Sequence, residues 1–272
     1  MKPLFRNITL LAGAAIAGAA LLLSGCSSGN AQALPAPALA DNTTAVLVHG
    51  AWADGSGWSA VVPLLQRRGM KVVAVQLPRA SLADDAATVK RTIDQQTGPV
   101  ILVGHSYGGA VITEAGNNAK VSALVYVAAF APDAGQSVND ITGAFPKPAW
   151  QQNGGIVVDE GGYLTLTTDT FTNVLAADVP KDKAQLMAVS QGPLFAHGFD
   201  DKVSTPAWKT KPSWWLVTGQ DQIIPAPLQQ GTAQHIGATI STSALSSHAV
   251  MVSHPEDVAA AILAAANKTA TR

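Results

Sequence analysis

The stretch VILVGHSYGGA, residues 100–110, determines how this chain is interpreted. Its first four residues are apolar and mostly β-branched, which is typical of a buried strand, and residues 107–118 are a helix candidate. The segment Gly104–Gly108 therefore joins a strand directly to a helix, which is the pattern of a nucleophile elbow. Such a turn strains the serine backbone and exposes its hydroxyl group. We predict that Ser106 is a nucleophile; the alternative is a serine that caps the helix.

The segments around the elbow predict an α/β fold. The chain has 272 residues, 47% hydrophobic and 13% charged, which is enough for one large domain with a substantial core. Short apolar runs alternate with helical stretches, and these runs are continuous, as expected for strands covered on both faces. The predicted strands are 44–48, 71–77, 99–103, 122–128 and 213–219, and the predicted helices are 58–68, 81–95 and 107–118. We expect a mostly parallel, doubly wound sheet.

This alternation breaks between Pro132 and Pro212, where glycines and prolines are frequent. Residues 155–166 resemble a hairpin around Gly161-Gly162, and residues 182–191 resemble a short helix. An interruption of this length is too long for a plain loop. We predict that residues 133–212, called the lid segment below, form a small lid inserted between two strands of the sheet.

Four motifs in this order carry a resemblance to a known family: HGAW (49–52), GHSYGG (104–109), GQDQIIP (219–225) and SHAVMVSHP (247–255). They resemble the α/β-hydrolase superfamily, and more narrowly the branch of small carboxylesterases, plant methylesterases and S-selective hydroxynitrile lyases. The resemblance covers about residues 44–268 and is loose across the lid segment. It implies a catalytic triad in the chain order serine, acid, histidine.

The resemblance also implies an oxyanion hole made of two backbone N–H groups. One belongs to the residue after the nucleophile, here Tyr107, and the other to the loop after the first strand, for which Ala51 is the candidate. His49 and His105 lie close to these positions in the sequence. We expect His49 to support its loop by hydrogen bonding and His105 to be a packing residue.

Asp221 is the expected acid because it follows the strand 213–219 and so lies at the same edge of the sheet as Ser106. The alternatives are that Asp221 only caps a turn or helix, or that Asp133, which follows the preceding strand, is the acid.

Two histidines compete for the role of base. Ser253-x-x-Glu256 resembles a capping box, which predicts that Ser253 caps the last helix and that His254 lies in its first turn. A protonated imidazole there would face the positive end of the helix dipole. His248 lies in the loop after the last predicted strand, 237–245, and is the expected base. We treat His197 and His235 as bystanders.

The N-terminal residues 1–25 resemble an export signal. Lys2 and Arg6 precede an apolar run from Ile8 to Leu23, and Leu23–Cys26 resembles the lipobox of bacterial lipoproteins. The resemblance implies lipidation of Cys26, a tether over residues 26–42, a domain over 43–272, and anchoring to the cell envelope. The alternatives are cleavage after Ala33, which gives a soluble periplasmic or secreted protein, and a retained membrane helix.

The expected function is hydrolysis of small or medium carboxylic esters or lactones through an acyl-enzyme at Ser106. A mainly apolar pocket formed by Trp52, Trp58, Trp150 and Phe195 is one interpretation, and ordinary core packing is the other. No nucleic-acid partner is expected, since the net charge is −1 and no basic run is present. No metal or organic cofactor is expected, because the reaction requires neither and no cluster of histidines, cysteines or acids has metal-ligand spacing.

Two other functions remain open. One is a hydroxynitrile-lyase-type carbon–carbon cleavage. That branch is expected to carry a threonine in place of Gly50 and a lysine in place of Ala249, so both positions count against it. The other is a non-catalytic ligand-binding protein, which would often lack a member of the triad.

Overall fold

A computed structural model of the chain describes residues 42–270. The predicted export signal, the lipidation site Cys26 and the tether up to residue 41 lie outside the described residues. Within residues 42–270, no helix is both long enough and apolar enough to cross a membrane.

Six strands form the central sheet, and every pair of neighbours in it is parallel. These strands are β1 (Thr44–Val48), β2 (Lys71–Val75), β3 (Val100–His105), β4 (Val121–Val127), β8 (Ser213–Thr218) and β9 (Thr239–Ser243). Their order across the sheet is β2-β1-β3-β4-β8-β9. Parallel strands all end at the same edge, so the segments that follow β1, β3, β8 and β9 come together there. The predicted α/β fold with a mostly parallel sheet is confirmed.

Helices cover both faces of this sheet. The elements outside the lid segment are α1 (Val61–Gln66), α2 (Leu82–Asp94), α3 (Tyr107–Ala115), α8 (Ala226–His235), α9 (Val250–Ser253) and α10 (Pro255–Ala270). Alternate residues of the four inner strands β1, β3, β4 and β8 enter different cores. In β3, Val100 and Leu102 pack with residues of α2 and α3, whereas Ile101 and Val103 pack with residues of α1 and α10. Burial on both faces explains why the strand sequences are continuous apolar runs.

The lid segment lies between β4 and β8 in the chain. It contains α4 (Val138–Thr142), α5 (Ala149–Gln152), β5 (Ile156–Val158), β6 (Tyr163–Leu166), α6 (Thr168–Thr170), a π-helical turn (Phe171–Leu175), α7 (Lys181–Ser190) and β7 (Leu194–Phe195). Strands β5 and β6 pair antiparallel across a turn that includes Gly162, which has φ of +81°, and β7 adds a third strand. Residues 155–166 thus form a hairpin.

The prediction for the start of the last helix is wrong. Ser253 is the final residue of the short helix α9, and α10 begins two residues later at Pro255. The Ser253 hydroxyl group donates to the carbonyl of Ala249 at 3.5 Å, so it does not cap α10. His254 has φ −131° and ψ 57° and therefore joins the two helices instead of lying inside one. A proline fixes the first residue of a helix without a capping side chain, and the serine pattern was misleading for that reason.

Candidate active site

Ser106 lies at the sharp turn between β3 and α3 and has φ 54° and ψ −125°. A non-glycine residue with this backbone is strained by about 1–3 kcal/mol, and such strain is concentrated at functional sites. The turn requires small neighbours. A Cβ atom on Gly104 would lie 2.5 Å from the carbonyl oxygen of Gly108, and one on Gly108 would lie 2.6 Å from that of His49. The sequence therefore forms an elbow that only glycines on both sides permit.

Asp221 follows the C-terminal end of β8, and its carboxylate is buried and fully hydrogen-bonded. Oδ1 accepts from the backbone N–H groups of Ile223 and Ile224 at 2.8 and 2.9 Å. Oδ2 accepts from the Thr218 hydroxyl group at 2.8 Å and from His248 Nδ1 at 2.8 Å. These donors fix the carboxylate in one orientation, with Oδ2 directed at the imidazole.

Gln229, on α8, is a further partner of Asp221 that the sequence analysis missed. Its side chain is fully buried. Its Nε2 donates to Asp221 Oδ2 at 3.0 Å and lies 2.7 Å from the Thr218 hydroxyl oxygen, while its Oε1 accepts from the Thr218 N–H at 3.1 Å. The signal that could have identified it is a glutamine eight residues after the acid, at a buried position of a helix, next to the exposed Gln230.

His248 lies in the loop between β9 and α9, as the sequence analysis expected. Its side chain is 2% exposed and that of Asp221 is 0% exposed, so their 2.8 Å contact is shielded from water. The other ring nitrogen of His248, Nε2, has no hydrogen-bond partner among residues 42–270, and the same holds for the Ser106 hydroxyl group. A ring held through Nδ1 presents Nε2 as its remaining proton acceptor.

His105 ties the histidine loop to the elbow. Its Nε2 donates to the His248 carbonyl oxygen at 2.9 Å, and the two imidazole rings lie 4.6 Å apart between centroids. Complete burial, together with the neighbouring imidazole of His248, lowers the pKa of His105 well below its usual value. The ring is therefore neutral. Since His105 directly precedes Ser106, this contact connects the loop of His248 to the residue beside the serine.

His49 is bonded at both ring nitrogens. Nε2 accepts from the Leu77 N–H at 3.0 Å, so the proton is on Nδ1, which donates to the Gly50 carbonyl oxygen at 2.8 Å. Burial lowers the pKa of His49 to about 4 and outweighs the opposing effect of the bond to Gly50. This neutral imidazole supports the loop after β1 and has no nitrogen free for proton transfer.

The two predicted oxyanion donors flank the serine. Tyr107 is the first residue of α3, and Ala51 follows Gly50, whose added Cβ would lie 2.7 Å from Ser106 Cβ. Within the part of the chain that the structure describes, neither the Ala51 N–H nor the Tyr107 N–H donates a hydrogen bond. Unpaired N–H groups beside a nucleophile are what a developing oxyanion requires.

A buried pair anchors the start of α3. The Tyr107 hydroxyl group donates to Asp85 Oδ2 at 2.9 Å, and Asp85 Oδ1 accepts from the Arg79 N–H at 2.7 Å. Burial raises the pKa of Asp85 and also that of Tyr107. This hydrogen bond connects α3 to α2. It fixes the Tyr107 side chain and thereby restrains the backbone N–H group of the same residue.

The lid segment is hydrogen-bonded to the loops that carry the site. Trp52 Nε1, beside Ala51, donates to the Leu164 carbonyl at 3.0 Å. Trp150 Nε1 donates to the carbonyl of Gln222, the residue after Asp221, at 3.0 Å. The Ala249 N–H, beside His248, donates to the Leu175 carbonyl at 3.1 Å. Each of the three loops thus has a direct bond to the lid segment.

The rival residues lie elsewhere. The Asp133 carboxylate bonds His235 Nε2 at 2.7 Å and lies 3.1 Å from Lys209 Nζ. His254 Nε2 faces Asp178 Oδ2 at 3.3 Å, and the side chain of His197 is 77% exposed. Among residues 42–270, no group of three or more histidines, cysteines or acids has the geometry to hold a metal ion.

A small apolar cavity of about 20 Å³ lies beside Ala51. Trp52 and Trp58 line it, as the sequence analysis considered, together with Phe171, Leu175, Met187, Ala249 and Met251. Trp150 and Phe195 do not line this cavity; Phe195 packs against Tyr163, with ring centroids 5.2 Å apart.

Several named proteins are similar in sequence to parts of this chain. "Probable hydrolase R7" of Phoma sp. is 25% identical over 203 residues, which is 68% of this chain and 80% of that protein. The carbendazim hydrolyzing esterase of Nocardioides sp. is 36% identical over 107 residues, 34% of this chain and 44% of that protein. The alpha-hydroxynitrile lyase of Arabidopsis thaliana is 34% identical over 103 residues, 32% of this chain and 40% of that protein. The last two alignments span less than half of either relative.

A solved structure and a family model cover more of the chain. The crystal structure of polyneuridine aldehyde esterase has a TM-score of 0.71 at 21% identity, over 82% of this chain and 99% of that one. At this identity the likeness concerns the fold alone. The model of the alpha/beta hydrolase family matches residues 45–261, which include every residue of the site described above. The chain belongs to the alpha/beta hydrolase family.

Proposed function

We propose that this protein is a serine hydrolase that cleaves small or medium carboxylic esters or lactones, with Ser106 as nucleophile, His248 as base and Asp221 as the acid that orients it. The observation that carries the proposal is the buried 2.8 Å bond between His248 Nδ1 and Asp221 Oδ2. It supports the assignment because it fixes the ring and leaves Nε2 for the proton of Ser106. The esterase and hydrolase relatives support the same reaction class.

The proposed reaction begins when Ser106 Oγ attacks the ester carbonyl carbon while His248 Nε2 takes the hydroxyl proton. The Ala51 and Tyr107 N–H groups stabilise the negative charge on the carbonyl oxygen. The intermediate then expels the alcohol, which receives the proton from His248, and the acyl group remains on Ser106. A water molecule, giving one proton to His248, attacks the carbonyl carbon of this acyl-enzyme. The bond to Ser106 Oγ then breaks, His248 returns the proton to Oγ, and the carboxylic acid leaves.

The cavity beside Ala51 supports the proposed substrate size. Ser106 and His248 do not line this cavity, but Ala51 does, and a volume of about 20 Å³ beside it suits a group as small as a methyl. Its wall is mostly hydrocarbon, which favours an alkyl substituent over a charged one. We therefore propose esters with a short acyl or alkyl group on the side of Ala51.

The decisive experiment combines turnover with covalent labelling. Ser106→Ala should abolish p-nitrophenyl acetate hydrolysis by several orders of magnitude, and a fluorophosphonate should add one adduct, located at Ser106, to the unmodified protein. Ser59→Ala, which alters an exposed serine, is the matched control and should keep full activity and labelling. Retained turnover in Ser106→Ala would exclude this mechanism.

The hydroxynitrile lyase relative makes carbon–carbon cleavage the second candidate. Two positions count against it. A threonine at Gly50 would bring its Cβ to 2.7 Å from Ser106 Cβ, and Ala249 offers no ammonium group for a departing cyanide. Cyanide release from mandelonitrile distinguishes the two reactions, because a rate comparable with ester turnover would favour the lyase.

We also propose that the protein is exported and anchored to the cell envelope through a lipid on Cys26. The lipobox-like sequence Leu23–Cys26 supports this proposal. Expression of the full chain in a bacterium should place it in the detergent-rich phase after Triton X-114 partition, and Cys26→Ser should move it to the aqueous phase. An unchanged distribution would favour a soluble exported protein or a retained membrane helix.

A further inference from the structure

We propose that Asp178, in the lid segment, is a positioning residue for His248 and acts through the hydroxyl group of Ser247. The inference rests on the proposed function in that it assigns His248 as the base. It goes further because it gives the lid segment a role in positioning the base, in addition to any role in enclosing the substrate.

Ser247 directly precedes His248 in the chain and is fully buried. Its hydroxyl group donates a hydrogen bond to Asp178 Oδ1, and it also lies 3.2 Å from the Leu175 carbonyl oxygen. On the other side of His248, the Ala249 N–H donates to the same carbonyl at 3.1 Å. Both chain neighbours of the histidine are therefore held by one short stretch of the lid segment, residues 175–178.

This stretch is suited to the task because it follows the π-helical turn Phe171–Leu175. The last carbonyl groups of a helix have no partner inside it, so Leu175 has a free acceptor where the helix ends. Rare π-helical turns of this kind are frequently found at functional sites. Asp178 lies three residues beyond and adds a charged acceptor, which binds a hydroxyl group more strongly than a carbonyl does.

His254 faces the second oxygen of the same carboxylate. Its Nε2 lies 3.3 Å from Asp178 Oδ2, a buried atom that accepts no hydrogen bond within residues 42–270. The carboxylate thus lies between the residue before His248 and the histidine six residues after it. His254, which competed with His248 as the candidate base, contacts the group that we propose to position the base.

The consequence for catalysis follows from the remaining contacts of His248. Its ring is fixed by Asp221 and its carbonyl by His105, so a shift of the backbone at Ser247 would tilt Nε2 relative to Ser106. Misplacement of a reacting group by about 1 Å can cost roughly a hundredfold in rate. Partial loss of one restraint should cost less than this and should affect the chemical step more than substrate binding.

The test compares four purified variants of the full-length protein, with p-nitrophenyl acetate as substrate. Asp178→Ala and Ser247→Ala should each lower kcat about tenfold and leave KM within about twofold. Asp178→Asn keeps an oxygen that accepts from Ser247 and should retain kcat within about threefold. Asp182→Ala, an exposed aspartate of α7, is the matched control and should behave like the unmodified protein. If Asp178→Ala is unstable, Ser247→Ala removes the same bond from the other side.

Two further readouts separate positioning from simple support of the lid segment. His254→Ala should lower kcat in the unmodified background but have no added effect in the Asp178→Ala background, since coupled residues are not additive. The low-field proton NMR signal of His248 Nδ1–H should shift or broaden in Asp178→Ala and not in Asp182→Ala. This signal reports the bond to Asp221 whether or not the protein hydrolyses esters, so it distinguishes failure of this inference from failure of the proposed function.

The inference is wrong if Asp178→Ala raises KM while kcat and the NMR signal stay unchanged, because Asp178 would then only support the lid segment. It is also wrong if the kcat of both Asp178→Ala and Ser247→Ala lies within twofold of the Asp182→Ala control.

Discussion

Oδ2 of Asp221 accepts a hydrogen bond of 2.8 Å from Nδ1 of His248, and both side chains are shielded from water. Replacement by asparagine would offer the ring an N–H donor or a differently polarised oxygen and so disturb its tautomer. Asp221→Asn should lower kcat by roughly 10⁴-fold in an ester hydrolysis assay, as expected for loss of a triad acid. Asp133→Asn, which alters the carboxylate bound to His235, should leave kcat within about twofold. The reverse ranking would make Asp133 the acid.

Gln229 should matter for both activity and stability. Gln229→Met keeps a similar volume but leaves the Thr218 N–H without its acceptor and removes one donor from Asp221. We expect a loss of about 1–3 kcal/mol in the free energy of unfolding, measured by urea titration, because a buried donor becomes unsatisfied. We also expect kcat to fall about tenfold as the carboxylate gains freedom. Gln230→Met, one residue further on the exposed side of α8, should change neither quantity.

The pKa of about 4 at His49 predicts a pH-dependent stability. Between pH 4 and about 6.5 the unfolded chain binds a proton at this residue and the folded protein does not, so stability falls as the pH falls through that window. Relative to neutral pH, protonation of this histidine in the unfolded chain should lower the free energy of unfolding by about 3 kcal/mol at pH 4. His49→Gln, which offers one acceptor and one donor as the neutral ring does but does not titrate, should flatten the pH dependence by about one proton, whereas His197→Gln should not. Urea titrations from pH 4 to 7.5 measure this difference, and equal slopes would contradict the assignment.

Met187 should limit the length of the substrate chain. It lines the cavity beside Ala51, and its removal would enlarge the space next to the proposed oxyanion hole. Met187→Ala should raise the ratio of kcat/KM for p-nitrophenyl butyrate over the acetate by about tenfold, since each methylene in an apolar pocket is worth about 1–3 kcal/mol. Leu186→Ala, at an exposed neighbouring position, is the control. An unchanged ratio would mean that the acyl chain lies elsewhere.

The sequence predicted the framework of the site because each of its members follows a strand. Ser106 could be predicted from a local pattern, Gly-x-Ser-x-Gly between a strand and a helix. The loops of Asp221 and His248 could be predicted because they follow later strands, and parallel strands end at a common edge of the sheet. Ser253 was misassigned because a capping-box pattern is local, while the start of α10 is fixed by Pro255 and by the preceding helix α9. The contacts of Gln229 were missed because the buried face of α8 is set by packing against the rest of the fold, although its partners Thr218 and Asp221 lie within eleven residues of it. The contact of Asp178 with Ser247 was missed because the two residues lie 69 positions apart and Asp178 belongs to the lid segment, where no regular pattern exists.

The three hydrogen bonds that join the lid segment to the loops of Trp52, Gln222 and Ala249 have an evolutionary consequence. Exchange of the whole lid segment would be one way to change substrate preference while the sheet is kept. A replacement segment would then have to supply two carbonyl acceptors and one N–H donor at three separate places, or else loosen the loops that carry Ala51, Asp221 and His248. Substrate preference should therefore diversify by single substitutions on the inner face of the lid segment more readily than by exchange of the whole segment.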